Sequence, residues 1–479
     1  LVNSIQLLHR VRGEEMVNDN GKPLHVMFLP FMAEGHNLSL VAIAKMFASR
    51  GVKVSIATTE GNAPSIARAL QPTDLPINIV TTRFPVEELG LPEGCETLGL
   101  VVTTDNPFEI VFPFLFGLSS LRKPVEKMIN DLRPHCLVAD MFFPWATESA
   151  ATSFFALSIM ECMRMHRPQF DVSSNNEMFV VPDVPGEIKL CKKQLTFFEW
   201  TELPDEVRRF TNECKTSWLA CSGTIANTFY ELEPEYASFY GDMVKGKVWH
   251  IGPVSHASKE IGEKATSASR EHYCMQWLES RKKNTVVYIC FGSTTAFPSS
   301  QMKEICDGIE ASGHDFIWVV NERRSEEERM PRGFEERTKE RGLVVRGWAP
   351  QVMMLEHEAV GGFVTHCGWN SVLEGITAGV PMATWPVFGE QFYNEMLVTQ
   401  IVKIGVPVKG ERAEGVKCDG VVSSEMIAAA IRRIMEGNEA RDLSERVCIM
   451  SQMAKRATQI GGSSYSSFQA LIDTLNQRK

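Results

Sequence analysis

The chain has 479 residues, enough for two α/β domains of about 200 to 250 residues, or roughly three of the commonest size. Its hydrophobic content of 44% and charged content of 23% are those of a globular protein and exclude a disordered or fibrous chain. A net charge of −10, from 49 basic and 59 acidic residues, argues against a general nucleic-acid binder.

No apolar run approaches the roughly 18 residues of a membrane span; the best, at 110–118, is half that and contains Pro113. The twelve cysteines show no Cys-x-x-Cys pair and no metal-finger spacing, which in a long chain reads as reduced thiols in a cytoplasmic protein. No secretory h-region is visible at the N-terminus. The chain begins at Leu1 and its first methionine is Met16, so residues 1–23 are expected to be disordered or an upstream extension.

The first legible unit starts at Leu24, where the apolar run 24–30 reads as a buried strand. A loop with Gly35 follows, then helical spacing over 38–50, a stop at Gly51, and a second strand at 52–58. This βαβ unit implies a parallel sheet. A second such start lies downstream: a strand over 285–291, a turn at Gly292-Ser293, a helix over 301–312 and a strand over 316–320. The Ser-, Ala-, Lys- and Glu-rich stretch between them reads as a linker.

The expected fold is α/β, with two doubly wound Rossmann-like domains facing a cleft. The expected divisions are an N-terminal domain at 24–253, a linker at 254–272, a C-terminal domain at 273–457, and a final helix at 458–479 packing back on the N-terminal domain. Ligands of such sheets bind beyond the carboxyl ends of the strands, which points to the loops after Leu29, Val138 and Phe291 and to the Gly-rich segment from 361 onward.

The segment 348–391 is the most informative. Within it, 362–365 reads as a short strand, 366–370 as a turn and 371–378 as a helix whose start, with Asn370 and Ser371, offers an anion site suited to a diphosphate. Ser371-x-x-Glu374 also has the form of a capping box that needs no ligand. Trp348 alone could be a core aromatic, and His366 a satisfied loop histidine.

Taken together, Trp348-Ala349-Pro350-Gln351, the run Gly361-Gly362-Phe363-Val364-Thr365-His366-Cys367-Gly368-Trp369-Asn370-Ser371, Glu374 and Gly389-Glu390-Gln391 resemble the 44-position signature box of plant secondary-product UDP-glycosyltransferases. The resemblance extends over nearly the whole chain from residue 24. The segments Gly90-Leu91-Pro92-Glu93-Gly94-Cys95 and Gln391-Phe392-Tyr393-Asn394-Glu395 are similar to the subgroup acting on triterpenoids and flavonoids.

The resemblance implies a GT-B fold and inverting transfer of a hexose, glucose above all, from a UDP-sugar to a lipophilic small molecule. It implies that Trp348 stacks on uracil and the Ala349 backbone bonds its edge. Gln351 and Glu374 would reach the ribose hydroxyls. Ser293, His366, Asn370 and Ser371 would hold the diphosphate, and Glu390, Gln391 and the Trp369 backbone would read the sugar. It also implies His36 as general base, oriented by Asp140; without the resemblance, His36 is an exposed loop histidine and Asp140 a strand-end cap. Histidine suits the task because its ordinary pKa lies near about 6.5.

The chain has no Asp-x-Asp motif, and a helix start with hydrogen-bond donors can neutralise a diphosphate, so neither a metal nor a cofactor beyond the UDP-sugar is expected. The expected partners are the UDP-sugar and the acceptor alone, with no nucleic acid, on a monomer.

The sequence departs from the family pattern after Pro144. Ser149-Ala150-Ala151 runs straight into Thr152-Ser153-Phe154, and about a dozen residues, a typical strand plus turn, are missing. The N-terminal sheet is therefore expected to lack one strand, and Thr152, which matches the family's sugar-contacting threonine, is left without its usual setting. The alternative function is then a relative that binds UDP-sugar but is catalytically impaired. A dinucleotide-dependent oxidoreductase is excluded, since Pro30-Phe31-Met32-Ala33-Glu34-Gly35-His36 lacks the Gly-x-Gly-x-x-Gly turn.

Overall fold

The computed structural model describes residues 3–4, 6–8, 24–71, 73–101, 107–146, 150–151, 153–199, 203–244, 247–260, 272–293, 295–320, 330–409 and 420–477. The chain divides into two compact units. One comprises Leu1–Ser158, Glu202–Lys264 and Lys455–Lys479, the other Ile159–Thr201 and Ala265–Ala454. The stretch Ile159–Thr201 thus groups with the second unit, although it lies inside the N-terminal domain of the sequence reading.

In chain order the strands of the first unit begin with β1 (Asn3–Ser4), β2 (Gln6–Leu8), β3 (His25–Leu29), β4 (Lys53–Thr59), β5 (Ile77–Thr82), β6 (Cys136–Ala139) and β7 (Ala150–Ala151). After β8 (Phe179–Val180) and β9 (Lys189–Leu190), an antiparallel ribbon of the second unit, come β10 (Gly223–Ala226) and β11 (Lys247–His250). The main sheet has the order β11-β10-β2-β6-β3-β4-β5. β3 and β6 are buried along their whole length, as expected of apolar strands covered on both faces, whereas the edge strand β5 is only partly covered.

The structure corrects two expectations from the sequence. The sheet does not lack a strand, and the N-terminal segment is not wholly without structure. β2 lies between β6 and β10 and runs antiparallel to both, with Gln6 opposite Ala139 and Thr224, and Leu8 opposite Leu137. β1 pairs with β7, Asn3 opposite Ala151 and Ser4 opposite Ala150. The physical reason is the ladder. With no strand between them, β6 and β10 would each present a row of buried backbone groups, and each group left unmade costs about 1–3 kcal/mol. The strand that fills this position comes from the N-terminal segment and not from the chain after Pro144. Thr152 lies outside the described residues.

The helix Phe154–His166 follows closely on β7. Its first turn is anchored by Glu233, whose carboxylate accepts the Phe155 amide at 2.8 Å and the Thr228 hydroxyl at 2.6 Å. Burial pushes this carboxyl up to about 7. The last helix, Ser463–Gln477, inserts Phe468, Leu471, Ile472 and Leu475 into the core of the first unit, with Phe468 edge-on to Phe47 at 4.9 Å. The expected linker opens as the helix Val254–Glu260, and Val254 and Ala257 belong to the same core, so its first turn is structural rather than connecting.

The second unit is built on a six-stranded parallel sheet of β12 (Val286–Cys290), β13 (Asp315–Val320), β14 (Gly342–Arg346), β15 (Val360–Thr365), β16 (Met382–Thr384) and β17 (Gly405–Pro407). Its order is β14-β13-β12-β15-β16-β17. Trp318, Phe316, Ile431 and Ile434 are among the residues that fill its core. No helix among the described residues is long and apolar enough to cross a membrane.

Removing residues 1–8 is expected to lower the urea midpoint of the chain sharply, since several buried ladder groups at about 1–3 kcal/mol each would lose their partners. Equal midpoints for the shortened and full chains would show that β2 does not hold the sheet.

Candidate functional site

Both sheets reverse strand order once, and each candidate site lies at such a reversal, where the helices on either side diverge and strand ends are open to a ligand. In the first unit the reversal falls between β3 and β6, whose last residues Leu29 and Ala139 are register partners. Asp140 follows β6 directly, its amide bonded to the Leu29 carbonyl at 3.0 Å. His36 sits in the first turn of the helix Glu34–Ser49 rather than in a loop. It is also buried, at 2% exposure, where an exposed side chain was the plain reading.

The two side chains meet, with His36 Nδ1 2.7 Å from Asp140 Oδ2. The other oxygen, Oδ1, accepts the Phe142 amide at 3.3 Å, which fixes the carboxylate. A carboxylate at Nδ1 makes that nitrogen the N–H donor, so Nε2 carries the lone pair. Nε2 is buried without a hydrogen-bond partner. Phe31 lies edge-on to the imidazole at 5.1 Å, and Phe142 stacks on Phe31 at 4.4 Å. A basic nitrogen held in an apolar wall is suited to a polar group on an otherwise greasy ligand.

In the second unit the reversal falls between β12 and β15, where Cys290 is opposite Thr365. Beyond β12 come Gly292, at φ 75°, and the exposed Ser293. Beyond β15 come His366, Cys367 and Gly368, then the helix Trp369–Ala378. That helix begins two residues earlier than expected, with Gly368 as its N-cap and no side chain capping it. Ser371 and Glu374 therefore lie inside it and form no capping box. The uncapped amides and the dipole at this start suit an anion. The backbone of Trp369 and the half-buried Asn370 lie in that first turn, and the Trp369 ring is buried.

Ser371 and Glu374 are instead joined to Gln351. The Tyr288 hydroxyl donates to Gln351 Oε1 at 2.9 Å, which turns the amide nitrogen toward Glu374 Oε2 at 2.7 Å and Ser371 Oγ at 3.2 Å. Burial pushes the Glu374 carboxyl up to about 7 and the Tyr288 phenol well above its ordinary value. His366 is packed between two glycines: a Cβ on Gly292 would lie 2.6 Å from its Nε2, and one on Gly368 2.5 Å. Burial lowers its pKa to about 4, so the imidazole is neutral near pH 7 and offers an N–H rather than a charge.

Trp348 is 63% exposed, which removes the core-aromatic reading and leaves a flat surface for a ring to cover. The Ala349 carbonyl accepts the Gln351 amide at 2.9 Å, forming the turn that leads into the helix Gln351–Leu355. Glu390 and Gln391 are buried; Gln391 Oε1 accepts the Val387 and Phe388 amides at 2.9 and 3.2 Å, which leaves Nε2 as the donor end of the side chain. Among the described residues there is no group of three or more His, Cys, Asp or Glu side chains that could hold a metal.

The resemblance thus paired His36 with Asp140 and Gln351 with Glu374, while it grouped Ser371 with the diphosphate residues and not with Gln351. It missed Tyr288, which looks like one more apolar residue of a buried strand, and the glycine pair around His366, because neither signal is local.

Residues 251–440 match the family model for UDP-glucoronosyl and UDP-glucosyl transferase. The chain is 46% identical to UDP-glucose flavonoid 3-O-glucosyltransferase 7 of Fragaria ananassa, with 95% of this chain and 96% of that one covered. It is 43% identical to the scopoletin glucosyltransferase of Nicotiana tabacum, covering 95% and 98%. Among solved structures it is similar to Glycyrrhiza uralensis UGT73P12 complexed with glycyrrhetinic acid 3-O-monoglucuronide, at 36% identity and a TM-score of 0.83, with 95% and 96% covered.

The packing around His366 has a stability consequence. Gly292→Ala combines a left-handed φ with a Cβ inside the imidazole, and is expected to lower unfolding free energy by about 1–3 kcal/mol in urea melts. An unchanged midpoint would show that the turn yields without strain.

Proposed function

The chain belongs to the UDP-glucosyl and UDP-glucuronosyl transferase family, and from that premise we propose that it transfers glucose from UDP-glucose, with inversion, to a hydroxyl of a lipophilic small molecule. The acceptor class is of the flavonoid or triterpenoid type. The names of the relatives support that class, and the buried apolar setting of His36, beside Phe31 and Phe142, is in keeping with it.

The observation that carries the reaction is the His36 to Asp140 pair, with Nε2 buried and unpartnered. The acceptor hydroxyl gives its proton to Nε2 as its oxygen forms a bond to the anomeric carbon. The bond from that carbon to the diphosphate breaks, and its electron pair leaves on the terminal phosphate oxygen of UDP. Asp140 keeps the imidazole in its working tautomer and stabilises the imidazolium.

The donor is held by the second unit. Trp348 covers uracil and the Ala349 backbone meets its edge, while Glu374 and Gln351 accept and donate at the ribose diol. Ser293, Asn370, Ser371 and the neutral N–H of His366 take the diphosphate at the helix start, where the leaving charge develops. Glu390, Gln391 and the Trp369 backbone read the sugar hydroxyls. The rival reading, a relative that binds UDP-sugar without transferring it, depended on a gap in the sheet, and β2 occupies that position.

Incubation with UDP-glucose and a panel of flavonoids and triterpenoids should give hexose-shifted products by mass spectrometry. His36→Ala should lower turnover by about 10²- to 10⁴-fold with UDP affinity retained. Binding of UDP by the native chain without any product would favour the impaired relative.

The raised Glu374 carboxyl predicts a pH dependence. Near pH 6 it is mostly protonated, and ribose hydroxyls donate better to the anion, so affinity for UDP-glucose should rise from pH 6 to pH 8. Glu374→Gln should flatten that slope in calorimetric titrations; a slope unchanged in the variant would take Glu374 out of the ribose site.

A further inference from the structure

We infer that Asn394 is a positioning residue for the UDP-sugar, which clamps Cys367 in a left-handed conformation and so locks the diphosphate-facing turn to the sugar-reading helix. The inference rests on the donor site proposed above. Cys367 has φ 65°, a region that a residue with a Cβ enters only when its surroundings hold it there. It stands between His366 and Gly368, so its backbone angles set both the imidazole and the helix start.

Besides the Cys367 thiol, which donates to the Thr365 carbonyl at 3.7 Å, two hydrogen bonds of its backbone hold it. The Cys367 amide donates to Thr365 Oγ1 at 3.2 Å, and the Cys367 carbonyl accepts from Asn394 Nδ2 at 3.0 Å. The first is local to β15. The second comes from 27 residues away, on the short helix Gln391–Met396, three residues after Gln391.

That helix is itself fixed. The Asn394 amide bonds the Glu390 carbonyl at 2.9 Å, and Glu395 Oε1 accepts the Thr384 hydroxyl at 3.1 Å at the end of β16. Tyr393 and Asn394 are fully buried. A buried side-chain amide in a helix is costly unless it makes its bond, and an apolar side chain would pack there more simply. Here Nδ2 spends its bond on the carbonyl of the strained residue, which ties the Glu390-Gln391 segment to the His366-Gly368 turn.

Released from the clamp, Cys367 would relax to negative φ. The imidazole would then leave its slot between Gly292 and Gly368, and the helix-start amides would turn away from the diphosphate. Asn394 would thus affect UDP affinity without touching UDP.

The test is a double-mutant cycle read by calorimetric titration of UDP, with thermal melts beside it. Asn394→Ala should weaken UDP binding about tenfold. Glycine tolerates left-handed φ without a clamp, so the same Asn394→Ala change should cost much less UDP affinity in the Cys367→Gly background. If Asn394→Ala alone fails to fold, folding and UDP binding by the double variant are the rescue, and failure of both overturns the inference. A folded Asn394→Ala protein with native UDP affinity also overturns it, as does an equal loss in both backgrounds, which would mark Asn394 as a packing residue. No UDP binding by the native chain would instead overturn the donor site itself.

Discussion

Both candidate sites exist because each sheet reverses its strand order. Each crossover helix must pack on a face determined by its handedness, and where the direction of winding changes, two neighbouring strands send their chains to opposite faces. In the first unit those strands are β3 and β6, which lead into the helix bearing His36 and the turn bearing Asp140. In the second unit they are β12 and β15, which lead into Gly292-Ser293 and His366. The sheets thus bring together side chains 104 residues apart in one case, and turns more than seventy residues apart in the other, without contacts dedicated to that purpose.

Burial then sets the chemistry of the groups so placed. In water His366 and Glu374 would titrate near their ordinary values; enclosed, the imidazole loses its proton more readily and the carboxyl keeps its own longer. Both shifts favour the uncharged forms, so the second unit presents hydrogen-bond donors and a helix start in place of fixed cations. His36 faces another environment. Its carboxylate partner bonds one ring nitrogen and leaves the other buried without a partner, while the surrounding aromatic rings and the Asp140 turn hold the ring in place.

The sheet of the first unit shows how far backbone hydrogen bonding dictates structure. The chain between Pro144 and the helix Phe154–His166 supplies, among its described residues, only the two-residue strand β7, yet β6 and β10 still need partners on their facing edges. The three residues of β2 supply them in antiparallel sense, and β1 ties the same segment to β7. Parallel neighbours accept an antiparallel insert because either sense satisfies the ladder; only the crossover rule distinguishes them, and a strand arriving from the N-terminus needs no crossover.

The two βαβ starts, the strand ends on which the candidate residues fall, and the residue types at those ends are legible along the chain. These signals are local: apolar runs, glycine stops, and a box of 44 positions whose spacing survives without knowledge of the fold. Long-range pairing sets the rest: β2 fills the sheet, Ser371 and Glu374 bind Gln351 instead of capping their helix, and Tyr288 and Asn394 stand behind the visible residues. Each of these turns on a hydrogen-bond partner twenty or more residues away. Local pattern is set by which face of an element meets water. The identity of a buried polar group's partner depends instead on which distant element folds against it, and no periodicity along the chain records that.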